Sequence, residues 1–452
     1  MKKILIFLIL FLIANHSMNA QCWQSISAGF SHTIAIKSDG TLWAWGVNFA
    51  GQIGDDSTIN KSLPVQIGIE NDWVKVTSGD YHNLAIKSNG TIWSWGSNYY
   101  GQLGDGTNIN RLTPIQIGTS SNWSTIIAGD HHSLAINSIG QLWAWGRNNS
   151  GQLGNGNTNN NNFPNQVGDD SNWGSIGAGY VHSIALKSNG TLWAWGANYF
   201  RQLGNGNFTD SVLPIQIGLS SDWQSIDAED DHSLAIKSNG TLWAWGSNNP
   251  AFFINNGIDY LYIPTQIGTD NDWKSIKTGQ FFAIALKFNN TLWSWGSGVY
   301  GQLANGANTH TYLPTQINSL TNWQSIACGD NFTLAINTDG NLWASGFNIG
   351  GQLGDGTTID KNILTQINCT SLGLLNSNFE PFSVYPIPAK NYIYISGDIE
   401  IEKIVIANIL GKIVFITAND FSKINVESFP LGIYVIQIFT ESGKYNFKFI
   451  KE

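Results

Sequence analysis

Residues 123–167 carry the pattern that decides the fold: Trp123-Ser-Thr-Ile-Ile-Ala-Gly129, His132-Ser-Leu-Ala-Ile136, Gln141-Leu-Trp-Ala-Trp-Gly146, Gly151-Gln-Leu-Gly154 and Pro164-Asn-Gln-Val167. Four short runs with strand character are separated by turns. In His132–Ile136 the His, Leu and Ile share one face, and the Ser and Ala share the other. Trp143 and Trp145 likewise point one way. The pattern recurs every 50 residues. Trp23, Trp73, Trp123, Trp173, Trp223, Trp273 and Trp323 form one series, and Trp43 through Trp343 a second. Trp45 through Trp295 form a third, with Ser345 as its seventh member. The three series hold all 20 tryptophans of the 452-residue chain.

A four-stranded unit cannot cover both of its faces alone, whereas seven units in a ring cover one another. The expected fold is therefore all-β, a seven-bladed propeller over residues 21–369. Composition agrees. Charged residues are 12%, about half the usual ~25%, as blades buried on both faces require. The 20 tryptophans and low charge exclude a disordered chain. Collagen fails on 11 prolines, and a disulfide-stapled mini-protein fails on three cysteines. A net charge of −9 gives a nucleic-acid partner no electrostatic support. Asn89-Gly90, Asn189-Gly190, Asn239-Gly240, Asp39-Gly40 and Asp339-Gly340 separate the second and third runs, and such pairs reach the positive φ of tight hairpins.

The chain enters at Trp23 without a preceding Pro-x-Gln-Ile strand and leaves through Leu364-Thr-Gln-Ile367. Residues 364–367 are accordingly expected to complete the first blade. Cys369, seven periods on from position 19, falls in register three places before Cys22. A Cys22–Cys369 disulfide is expected, which exported proteins can keep. Cys328 takes a small-residue position held by Ala28, Ala128 and Ala178, and is expected to be a buried, inert thiol.

The two ends differ from the repeats. Lys2 and Lys3, the apolar run Ile4–Ile13 and the polar stretch to Ala20 form an export signal over residues 1–20. Gln21 and Asn19 do not suit a lipid-modified Cys22. No other segment approaches the ~18 apolar residues of a membrane span. Past residue 370 tryptophan disappears. Residues 370–381 are expected to be a linker, and 382–452 a small β-sandwich with strands near 392–396, 401–408, 412–415, 433–439 and 445–450.

Two resemblances follow from these residues. The units Ala-Gly-x-x-His-(Ser/Thr)-(Leu/Ile)-Ala-(Ile/Leu), Leu-Trp-(Ala/Ser)-Trp-Gly-x-Asn and Gly-Gln-Leu-Gly-(Asp/Asn)-Gly resemble the regulator of chromosome condensation repeat family, which implies a seven-bladed propeller. Val384-Tyr-Pro-Ile-Pro-Ala389, Ile406-Ala-Asn-Ile-Leu-Gly-Lys412, Leu431-Gly-Ile-Tyr-Val435 and Phe447-Lys-Phe-Ile-Lys451 resemble the C-terminal sorting domain of type IX secretion substrates (the Por system of Bacteroidetes). Ile387 stands where that motif has Asn. This resemblance implies contact with the type IX secretion machinery, and a protein released or held at the outer cell surface. Some relatives of the propeller are exchange factors or light sensors. The insertion of the former and the Gly-x-x-His tryptophan of the latter are absent here.

No catalytic, cofactor-binding or metal site is expected. His32, His82, His132, His182 and His232 occupy one repeat position, each in its own blade, where Phe282 and Phe332 also stand. That substitution fits packing. Asp55, Asp105 and Asp355 lie in Gly-Asp-Gly-like turns that Asn fills elsewhere, without the following carboxylates of a calcium loop. No nucleophile elbow or phosphate loop is present. The variable loop after each Trp-x-Trp-Gly is rich in aromatics: Phe49, Tyr99, Tyr100, Tyr199, Phe200, Phe252, Phe253, Tyr260, Tyr262 and Tyr300. Such side chains favour protein or sugar contacts. The expected function is a monomeric, exported, non-enzymatic module that binds an extracellular protein or glycan. The alternatives are a secreted glycan-acting enzyme and an exchange-factor-like regulator. Residues 21–369 hold 13 basic and 23 acidic side chains, a net of −10, so a partner must tolerate an acidic surface.

Overall fold

In the computed structural model the described residues are 22–248, 259–369, 382–385, 388–397, 400–408, 412–419, 421–440 and 443–452. The export signal over 1–20, the linker over 370–381, Phe252 and Phe253 lie outside them. The chain divides into two compact units after Cys369.

The first blade is an antiparallel meander of β1 (Trp23–Ala28), β2 (His32–Lys37), β3 (Leu42–Gly46) and β4 (Lys61–Gln66). Six further sheets repeat that order. Each innermost strand packs on the innermost strand of the next blade, and Trp323–Gly329 of the seventh packs on β1. The fold is the seven-bladed propeller. The second strands explain the scarcity of charge, since every residue of His132–Asn137 is buried.

Two glycine positions set the spacing between blades. Gly104 sits at φ +76°, and a Cβ there would lie 2.7 Å from the Trp145 indole nitrogen of the next blade. Nearer the axis, a Cβ on Gly79 would lie 2.0 Å from the Gly129 carbonyl oxygen. Only glycine, without a Cβ, permits these approaches, and at Gly104 it also takes the positive φ. Across the seam, Ser133 Oγ and Trp145 Nε1 both donate to the Gln102 carbonyl oxygen, at 2.8 and 2.9 Å. The Gln of Gly-Gln-Leu-Gly thus docks one blade onto the next at six seams; the fifth unit has Ala251-Phe-Phe-Ile254 in its place.

The expected completion of the first blade by residues 364–367 is wrong. Lys361–Ile367 pairs with Leu342–Gly346 inside the seventh blade, and β4 completes the first. Repeat and blade are in phase, so each unit already contains its own outer strand. The ring closes across the seam between the seventh blade and the first, where the Trp23 backbone amide donates to the Gly340 carbonyl oxygen at 3.0 Å. Thr33 Oγ1 and Trp45 Nε1 donate to the Gln352 carbonyl oxygen at 2.8 and 2.9 Å. Cys22 and Cys369 are bonded, with Cα atoms 6.1 Å apart. Cys328, expected to be buried, is half-buried and lines the central channel, as do Ala28 and Ala128 at the same repeat position.

The second unit is a sandwich of a three-stranded and a four-stranded sheet. Ile393, Ile404, Ile424, Ile436 and Phe449 meet in its core. The strands Phe382–Tyr385 and Lys423–Asn425 are additional to those expected; four and three residues are too short to display a period.

Candidate binding face

The turn between the first and second strands is Gly-x-x-His in the first four blades, Glu-x-x-His in the fifth and Gly-x-x-Phe in the last two, and β3 ends beside it, since His32 pairs with Gly46. The two middle residues of that turn therefore share one end of the ring with the loop after Trp-x-Trp-Gly. The innermost strands crowd together there. In consequence, the first middle residue of several blades reaches the channel mouth. Asp80, Asp130 and Asp330, with Glu229 one place earlier in its blade, line a single cavity of about 10 Å³. That is room for about one water.

Confinement among like charges disfavours ionisation. Burial, then the Asp230 charge, pushes the Asp80 carboxyl up to about 7. Burial raises Asp230 to about 6 and, with the Asp230 charge, Asp231 to about 7. Asp130, Glu229 and Asp330 are held well above the usual carboxylate range, first by burial and then by neighbouring acids. The nearby Lys277 is engaged by Asp227. Burial, chiefly, raises the Cys328 thiol far above its ordinary value, so it is not a thiolate.

Around this mouth runs an arc of rings. Phe30 and Phe49 approach Tyr81 at 5.6 and 4.9 Å between centroids. Tyr81 stacks toward His131 at 6.5 Å, and His131 meets Tyr100 at 5.3 Å and Tyr180 at 6.0 Å. Tyr99 lies edge-on to Tyr100. The Arg147 guanidinium sits over both Tyr100 and Tyr180, at 5.3 and 5.0 Å. Burial and the charges of Asp80, Asp330 and Asp130 push the Tyr81 hydroxyl to about 12, so arc and acids share one field. Phe49 remains 61% exposed and Tyr99 74%.

The expected aromatic residues do not form one patch. Phe49, Tyr99 and Tyr100 belong to the arc. Phe200 packs on Tyr260, and the Arg201 guanidinium lies 5.8 Å from Tyr260 and 4.9 Å from Tyr262. Tyr199 is exposed beside them. Tyr300 pairs with Phe347 in a third group. Sequence reasoning did not pick out the acids, although Asp80, Asp130, Asp230 and Asp330 keep the 50-residue spacing.

The repeated histidines tie blades together. His132 Nε2 lies 2.9 Å from Ser183 Oγ, and Ser183 donates to the Gln152 carbonyl at 2.8 Å. The carboxylates of Asp55, Asp105 and Asp355 pair with Lys61, Arg111 and Lys361. Among the described residues, no group of three His, Cys, Asp or Glu is placed to hold a metal ion. None of their helices is long and apolar enough to cross a membrane.

Comparison with known proteins gives the following. The RCC1-like domain model matches residues 11–229. Regulator of chromosome condensation (RCC1) repeat models match residues 289–336, and 223–249, 273–302 and 323–352. The secretion system C-terminal sorting domain matches 383–452. The ultraviolet-B receptor UVR8 of Arabidopsis thaliana is 41% identical over 49 residues, 11% of either chain. Human WBSCR16 superposes with a TM-score of 0.67 at 19% identity, over 73% of this chain and 94% of that one. Prp20p of Saccharomyces cerevisiae gives 0.65 at 22%, over 81% and 90%. At these identities the solved structures speak to the fold.

Proposed function

We propose that this chain, a propeller of regulator of chromosome condensation repeats ending in a type IX sorting domain, is a monomeric, non-enzymatic module that binds an extracellular protein. The sorting domain assigns it to secretion or to the outer cell surface. The observation that carries binding is the aromatic arc from Phe49 through Tyr81 and His131 to Tyr180. It joins four blades at one end of the ring and keeps exposed edges. Aromatic residues supply large contact area at low entropic cost.

The raised carboxyls beside aromatic rings favour a second reading, a glycan-acting enzyme. A cavity of about 10 Å³ leaves no place for a sugar ring between two of those carboxyls, and binding is the better reading. The test is capture of partners from the native extracellular medium by the exported full chain and by its Phe49→Ala/Tyr99→Ala variant. The variant is expected to lose the partner while melting within a few degrees of the parent. Undiminished capture by a folded variant overturns the reading.

A further inference from the structure

We infer that the channel mouth receives the ammonium head of a lysine, presented by a basic protein segment lying along the aromatic arc. The inference rests on the binding reading above and names the chemistry of the partner. Its first ground is the state of the acids. Asp330 is 7% exposed and lines the cavity, and its own backbone amide donates to its carboxylate. Among the described residues none donates a hydrogen bond to the carboxylates of Asp80, Asp130 or Glu229. None of their oxygens is a fully buried atom lacking a partner, so they stay within reach of an entering cation, whose charge favours their ionised form. Lys277 does not serve, being held by Asp227.

The second ground is size. A cavity of about 10 Å³ admits a water. An ammonium group is of that size and presents three donors, whereas a planar guanidinium is larger. A bare metal ion finds no set of three ligands among the described residues. The third ground is the rim. Arg147 already lies over the faces of Tyr100 and Tyr180, so these rings accept cationic groups in this setting. The exposed edges of Phe49 and Tyr99 offer apolar surface to the stem of a long side chain. The net charge of −10 over the ring steers a basic segment toward it.

The test uses the full exported chain and a synthetic nonapeptide alternating lysine and glycine, titrated by calorimetry at fixed salt. Lys-to-acetyl-lysine and Lys-to-Arg peptides are titrated in parallel. The lysine peptide is expected to bind at least tenfold more tightly than the acetylated one, and more tightly than the arginine one. Asp80→Asn/Asp330→Asn is expected to weaken the lysine peptide at least tenfold while raising the melting temperature, which separates lost binding from lost fold. Equal binding of the acetylated peptide, or an unchanged affinity in the Asn variant, overturns the inference. Should Phe49→Ala/Tyr99→Ala abolish partner capture while Asp80→Asn/Asp330→Asn leaves it intact, the lysine assignment falls and the binding reading stands. Should neither variant change capture, both fall.

Discussion

The indole nitrogen of Trp45, in the first blade, donates a 2.9 Å hydrogen bond to the backbone carbonyl of Gln352, in the seventh. The ring is closed by the same bond that joins Trp145 to Gln102 and Trp195 to Gln152 inside it. First and last blades therefore meet as ordinary neighbours. Trp45→Phe removes the donor and part of a fully buried ring. The bond contributes about 1 kcal/mol and the lost packing a further ~1–3 kcal/mol. Thermal unfolding should show a lower melting temperature; an unchanged one would mean that the closure seam contributes little.

The disulfide joins cysteines 347 residues apart, at the end of the ring opposite the aromatic arc. Cross-linking so long a loop restricts the unfolded chain, and removal of such bonds costs ~2–5 kcal/mol. Cys22→Ser/Cys369→Ser should melt earlier than the parent, and reductant should lower the parent to the same value. If the variant keeps partner capture at low temperature, the bond is a seal and takes no part in binding.

Much of this was legible because repetition multiplies a weak signal. One Trp-x-Trp-Gly is ambiguous, whereas the seven tryptophans from Trp43 to Trp343 at constant spacing determine blade number. The Cys22–Cys369 pair was legible for the same reason. The phase of blade and repeat was not, because Leu364–Ile367 suits the outer strand of either the first or the seventh blade. Register inside the sheet decides it, through Gly346 opposite Lys361. Asp80, Asp130 and Asp330 passed unnoticed because each alone resembles a solvated turn residue. Their significance appears only when seven turns converge on one axis. Phe200 and Tyr260, 60 positions apart, become neighbours across a seam that linear spacing does not show.

Two buried sets of titrating groups oppose each other between pH 7 and 5. Burial, first of all, holds His32 and His131 near 4 and His132, His182 and His232 near 3. Unfolded histidine titrates near 6.5, so as pH falls below that value the unfolded chain takes up protons the ring refuses, and stability is lost. The channel carboxyls have raised folded values. They take up protons in the ring before the unfolded chain does, so stability is gained over the same interval. His132→Phe/His182→Phe, which copies the residue found at Phe282 and Phe332, should melt progressively higher than the parent from pH 7 to 5. Asp80→Asn/Asp330→Asn should melt higher than the parent at pH 8, by a margin that shrinks from pH 7 to 5. Parallel profiles for the two variants would contradict the assignment of opposite signs.

The lysine peptide should itself report the channel acids. Asp80, Asp130, Glu229 and Asp330 face the cavity, with Asp227, Asp230 and Asp231 adjacent. The raised values of Asp80, Asp130, Glu229 and Asp231 mean that part of this set is protonated near neutrality. An ammonium head requires the ionised form, so binding must expel protons. The other groups packed there do not reverse the sign. Lys277 stays charged beside Asp227, Arg147 is always charged, and His131, held near 4, is neutral throughout. Tyr81 and Cys328 titrate above the interval. Affinity should therefore rise between pH 6 and 8, up to about tenfold per unit for each proton expelled. Calorimetry in buffers of different ionisation enthalpy should detect the release directly. A pH-independent affinity with no proton release would place the peptide away from the channel, on the arc alone.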